Sequence, residues 1–203
     1  MRDVDKALAD ILEIRNRMAS HTAFRGYGPV AMAITGGLGF TTALTQSVFP
    51  VAPTPFLFIV EWLCTAALCA LAVGIETQGR SRRLHSSLAD AMIHQAVEQF
   101  LPATAACFFL PILLVKFAPQ NVWMMPGLWQ LFVSLGIFAS LHNLPRRMML
   151  AGAWYFVSAF LCLLIASQDH ALSPWAMGLP FLGGQTLMAV ILHFSAGGPD
   201  GED

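Results

Sequence analysis

The chain has 203 residues, a formal net charge of −1, 56% hydrophobic residues and 11% charged ones. A soluble domain carries about 25% charged residues, so this composition cannot cover a water-facing surface, and it offers no basic patch for direct nucleic-acid binding. The class that remains is an integral membrane protein with lipid around most of its surface.

The segment RDVDKALADILEIRNRM (2–18) places Val4, Ala7, Ile11, Ile14 and Met18 on one helical face, widened by Leu8 and Leu12. Charge occupies the other face and Asp3 can cap the start. Charges run through the segment instead of flanking an apolar centre, which argues against a signal peptide. Residues 1–24 are therefore expected to form a cytoplasmic amphipathic helix, lying on the membrane surface or pairing with a cytoplasmic protein partner.

Six apolar runs follow: Pro29–Val48, Phe56–Ile75, Pro102–Phe117, Val122–Leu141, Met149–Ser167 and Trp175–Phe194. A spanning helix needs about 20 apolar residues, with a range of roughly 17–25. Five runs meet that length and the third is slightly short. None alternates polar with apolar as a membrane barrel strand would, and in hydrocarbon the backbone must satisfy itself within each segment. The expected fold is all-α: a bundle of six transmembrane helices plus two cytoplasmic or interfacial amphipathic helices. Residues 25–196 form the transmembrane domain and 197–203 a disordered acidic tail.

The second amphipathic segment is LHSSLADAMIHQAVEQF (84–100). Leu88, Met92, Ala96 and Phe100 make one stripe, and Asp90, His94 and Glu98 recur at four-residue steps on the other side. Pro102 is expected to turn this interfacial helix into the membrane. The carboxylate–histidine–carboxylate stripe has the chemistry of a metal or proton-relay site. The plainer reading is a solvated face with weak i,i+4 pairs.

With the N-terminus inside, Arg2, Lys6, Arg15, Arg17, Arg25, Arg80, Arg82, Arg83, Arg146 and Arg147 all fall in inner segments, and only Lys116 falls outside. That asymmetry predicts a multi-pass membrane protein with both termini cytoplasmic. The outer turns VAPTP (51–55), APQNVWMMP (118–126) and QDHALSP (168–174) carry prolines, and Trp123, Trp129 and Trp175 lie near them, where an aromatic belt is expected. Trp62 falls about two turns inside the second run. For all four tryptophans the plain reading is belt or packing.

Few polar groups fall at depth. Glu61, Gln130 and Gln185 do, and they are the candidate lining of a small ligand or transport pocket open to the outside. Interhelical hydrogen bonds that only hold the bundle together are the competing reading. Gly36, Gly37 and Gly39, Gly183 and Gly184, and the stripe Ala66, Ala70 and Gly74 allow close helix approach, consistent with a homo-oligomer or a membrane-protein complex. His94, His142 and His193, with Asp90 and Glu98, are the candidate haem or metal ligands. No HExxH, ExxH or CxxC spacing supports them, and no cofactor is predicted. Cys64, Cys69, Cys107 and Cys162 lie within the runs, as small apolar residues do.

A weak repeat relates PGLWQLFVSLGIFASLH (126–142) to MGLPFLGGQTLMAVILH (177–193), with Gly127/Gly178, Leu131/Leu182 and His142/His193 in register. It reads as two parallel helical hairpins, a device common in transporters.

The stretches RGYGPVAMAITG (25–36), PGLWQLFVSLGIFAS (126–140) and LSPWAMGLPF (172–181) resemble a group of uncharacterised bacterial six-helix membrane proteins. The resemblance covers most of the chain after residue 24. It implies the six-helix fold. It also implies a regulatory or sensory role, because the group's genes often adjoin those of winged-helix regulators, and it brings no catalytic residues. The expectation is a non-enzymatic inner-membrane protein that senses or binds an apolar ligand and engages partners through its cytoplasmic helices. Its alternatives are a small oligomeric transporter or channel using Glu61, and a haem- or metal-binding redox protein using the inner histidines.

Overall fold

The computed structural model describes residues 28–49, 54–84, 87–141 and 144–196, with the backbone path alone for 80–84, 87–97 and 196. The expected helix 1–24, the tail 197–203 and His142 lie outside the described residues. All regular structure among them is helical: α1 Pro29–Val48, α2 Pro55–Leu84, α3 Ser87–Phe117, α4 Met125–Ala139, α5 Met149–Asp169 and α6 Trp175–Ala196. Short 3-10 turns at Pro119–Met124 and Arg146–Met148 lead into α4 and α5.

Among the described residues, five segments are long and apolar enough to cross a membrane: one each in α2, α3 and α6, and one each formed by α4 and α5 with the 3-10 turn before them. α1 has 20 residues but falls outside that set because Thr35, Thr41, Thr42, Thr45, Gln46 and Ser47 dilute it. Part of that cost is removed locally: the hydroxyls of Thr41, Thr45 and Ser47 each donate to a carbonyl one turn back, at 2.9 Å. α2 continues nine residues beyond Ile75, where the apolar run ends. Pro102 does not start a new helix: α3 is continuous, with Pro102 and Pro111 inside it. A proline removes one donor from the ladder, and membrane helices tolerate this where neighbouring groups take up the freed carbonyl. Residues 87–100 of the second amphipathic segment therefore supply the first half of α3, while Leu84 ends α2.

Successive helices run antiparallel, and α6 returns against α1 in the most extensive contact of the bundle; α4 against α5 is next, while α2 and α3 meet loosely. Both tight joints have a glycine at the crossing. A Cβ at Gly178 of α6 would collide with the Ala43 Cβ of α1. A Cβ at Gly127 of α4 would come within 2.9 Å of the Ala159 carbonyl of α5. Gly127 and Gly178 are the pair related by the 51-residue repeat. Their partners are related as well: Pro29/Pro145, Met32/Met148, Gly36/Gly152 and Ala43/Ala159 are each 116 positions apart. The α6–α1 joint thus repeats the α4–α5 joint, and the sequence similarity records a repeated helix crossing.

The core has two layers. Near the turn carrying Arg146 and Arg147, Met32, Ile137, Met148, Ala151, Tyr155, Ile191 and Leu192 pack together. Toward the other end, Phe58, Ile59, Trp62, Val122, Met125, Trp129 and Met177 close around Ala43. Trp62 and Trp129 are therefore packing residues, and Trp129 donates to the Cys107 carbonyl at 2.8 Å. The surface is the reverse of a soluble protein's. Ile75, Phe117 and Ile165 are 70% or more exposed, while Gln130 and Ser134 are fully buried. A fold that exposes its large apolar side chains and buries its amides suits a hydrocarbon solvent. The stripe Ala66, Ala70 and Gly74 is exposed, and a Cβ at Gly74 would meet nothing within 4 Å among the described residues.

Candidate functional site

Four helices bring polar side chains to one place beneath the tight α6–α1 joint. Gly36 of α1 lies so close to α6 that a Cβ there would sit 3.0 Å from the Gln185 Cβ. That approach lets the Thr35 hydroxyl reach the Gln185 side-chain oxygen at 3.1 Å while it also lies 2.8 Å from the Met32 carbonyl. From α2 the Cys69 thiol donates to the Thr35 carbonyl at 3.8 Å. From α5 comes Tyr155, fully buried, with its ring laid on the Gly184 backbone, where any side chain would clash. Gln185 and Cys69 are polar neighbours of Tyr155, yet among the described residues its hydroxyl has no hydrogen-bond partner of good geometry. A buried hydroxyl without a partner costs about 1–3 kcal/mol, so this group calls for a role.

The three expected pocket residues take separate partners. Gln185 belongs to the cluster just described. Gln130 sits on α4, fully buried, and its amide N–H groups donate to the carbonyls of Ala176 at 2.7 Å and Pro126 at 3.1 Å, beside the Cys162 thiol. Its side-chain oxygen has no hydrogen-bond partner among the described residues. Glu61 sits on the exposed side of α2 and accepts a hydrogen bond from Gln46 of α1, whose own oxygen accepts from the Trp62 indole at 3.1 Å. No hydrogen bond joins any two of Glu61, Gln130 and Gln185.

Of the candidate ligands, Asp90 and His94 lie in the part of α3 whose side chains are outside the described residues, as is all of His142. Glu98 is exposed on α3. His193 is exposed near the end of α6, its ring 5.6 Å from that of Phe194. Among the described residues, no three His, Cys, Asp or Glu side chains converge as metal ligands would.

Two functional groups escaped the sequence reading. Tyr155 carried a signal: it is one of two tyrosines in the chain and falls within an apolar run, away from the belt where tyrosine is enriched. Glu76 fell just beyond the apolar run. In the structure it accepts the Ala31 backbone N–H at 2.7 Å, across from α2 to the start of α1.

The chain matches no family model, no curated protein and no solved structure.

Proposed function

We propose that this chain is a non-enzymatic, six-helix protein of the bacterial inner membrane that binds a small hydrogen-bonding ligand within the bundle and passes that state to a cytoplasmic partner. The single observation that carries the reading is the buried, unpartnered Tyr155 hydroxyl beside Gln185, Thr35 and Cys69. Those groups come from four different helices, so a ligand held there would couple the packing of α1, α2, α5 and α6. The fit is best for a ligand with an acceptor oxygen, because a phenol and an amide both donate.

The orientation in this reading, with both termini cytoplasmic, rests on the basic residues. Arg146 and Arg147 are exposed at one end of the bundle, and Lys116 stands at the opposite end of α3. α1 counts as the sixth spanning helix because it is fully paired with α6. Residues 1–24 and the first half of α3 supply the amphipathic surfaces for a partner.

Native mass spectrometry of the full chain extracted into nanodiscs tests the ligand. A bound small molecule retained by the wild-type protein and lost in Tyr155→Phe and Gln185→Leu is the expected result. Identical unliganded masses for all three proteins would overturn the reading.

A further inference from the structure

α2 carries an exposed stripe that, among the described residues, makes one hydrogen bond to the bundle, from Gln46 to Glu61. Leu57, Glu61, Cys64, Leu68, Leu71 and Ile75 follow one another at alternating four- and three-residue steps, the spacing that keeps one face of a helix against a partner helix. All six are exposed; Leu68 is 54%, Leu71 61% and Ile75 72% exposed. Lipid alone would suit the leucines and the isoleucine. It does not suit Glu61, which lies about 9 Å along α2 from Pro55 at about 1.5 Å per residue, inside a segment apolar enough to span. An ionisable side chain at such a depth normally faces protein or water. Gln46 satisfies one of its oxygens and leaves the group open on the outer side.

We propose that two copies of this chain pack α2 against α2 through this stripe, within the membrane. A two-fold axis along the membrane normal is the only two-fold that keeps both copies in the same orientation, and it brings residues of equal depth together. The Glu61–Gln46 pair of one copy then faces that of the other, so each carboxyl group gains the amide of the partner's Gln46 in place of lipid. A single polar position in an otherwise apolar seven-residue repeat also sets the register of the contact. The stripe is separate from the Tyr155 cluster, so the dimer stands or falls independently of the ligand.

Cys64 is a native probe, one turn from Glu61 on the same face. Full-length protein in its own membranes is oxidised with copper–phenanthroline. The expected result is a covalent dimer that disappears in Cys64→Ser, persists in Glu61→Gln, and falls several-fold in Glu61→Leu. A control chain, Cys64→Ser with Leu161→Cys, carries its thiol on the exposed face of α5 and should cross-link weakly. Three results would overturn the proposal: no dimer although a membrane-permeant maleimide labels Cys64; equal yields from the Cys64 and control thiols, which marks random collision; or labelling of a cysteine at Glu61 by a membrane-impermeant reagent, which marks a water-filled path.

Discussion

Glu76 caps a helix to which it does not belong. Its carboxylate on α2 accepts the N–H of Ala31 in the first turn of α1, at 2.7 Å. α1 needs this help: Pro29 opens it, Gly28 precedes it, and neither offers a capping side chain. A negative charge at a helix N-terminus is favoured both as an acceptor and by the helix dipole. Gly28 is there because the carboxylate occupies the space a Cβ would fill.

Removing either member should therefore loosen α1 by the same route. Glu76→Ala is expected to cost about 0.5–2 kcal/mol, the usual worth of a cap, and Glu76→Gln much less, since the amide oxygen still accepts. Gly28→Ala displaces the carboxylate and should cost a similar amount. The two effects should not add in the double variant. Unfolding of the four proteins in mixed detergent micelles measures this cycle, and full additivity would refute the cap.

The α6–α1 joint should be repairable across the interface. Gly178→Ala drives a methyl into that of Ala43 and is expected to cost about 1–3 kcal/mol as overpacking. Ala43→Gly removes the obstruction, because the next atoms, the Gly39 carbonyl and the Ala43 Cα, stand at 3.6 and 3.9 Å. The pair Ala43→Gly with Gly178→Ala should recover most of the loss. At the repeated joint the obstruction includes the Ala159 backbone carbonyl, so no substitution at 159 should rescue Gly127→Ala. Thermal unfolding of the single and double variants distinguishes the two joints.

Gln130 should be worth little as a hydrogen-bonding group and more as a filler of space. Side-chain hydrogen bonds inside membrane proteins average about 0.6 kcal/mol, and here the side-chain oxygen gains nothing. Gln130→Leu is expected to cost less than about 1 kcal/mol. Gln130→Ala leaves a cavity at a fully buried site and should cost about 2 kcal/mol or more. If the leucine variant proves the less stable of the two, the amide has a role that packing does not explain.

The proposed orientation makes a direct prediction about access. In a chain without native cysteines, a thiol at Arg82 or Arg147 should be shielded from a membrane-impermeant maleimide in intact cells and react after lysis. A thiol at Asp169 should react in both cases. Labelling of either arginine position from outside would reverse or break the topology.

The helices were legible because hydrocarbon imposes a length and an apolar content on whatever crosses it. The limits of α5 and α6 fall within two residues of their apolar runs. Where polar residues take over, the same rule loses its grip. α2 runs on past Ile75 and α3 begins well before Pro102, because a helix outside the lipid is limited by its hydrogen bonds and caps, not by its apolarity. For the same reason the apolar run stopped one residue short of Glu76, which lies within α2.

Composition and periodicity by themselves determined that this protein is helical, suited to lipid, and built with polar residues at a few depths. Only the tertiary structure decided that Gln185 joins Thr35 near Tyr155, that Gln130 bonds α6, and that Glu61 turns outward beside Gln46. Depth follows from counting residues along a helix. Partnership depends on each helix's rotation about its axis and on its neighbours, and these are set by close crossings such as Gly178 on Ala43, between residues far apart in the chain.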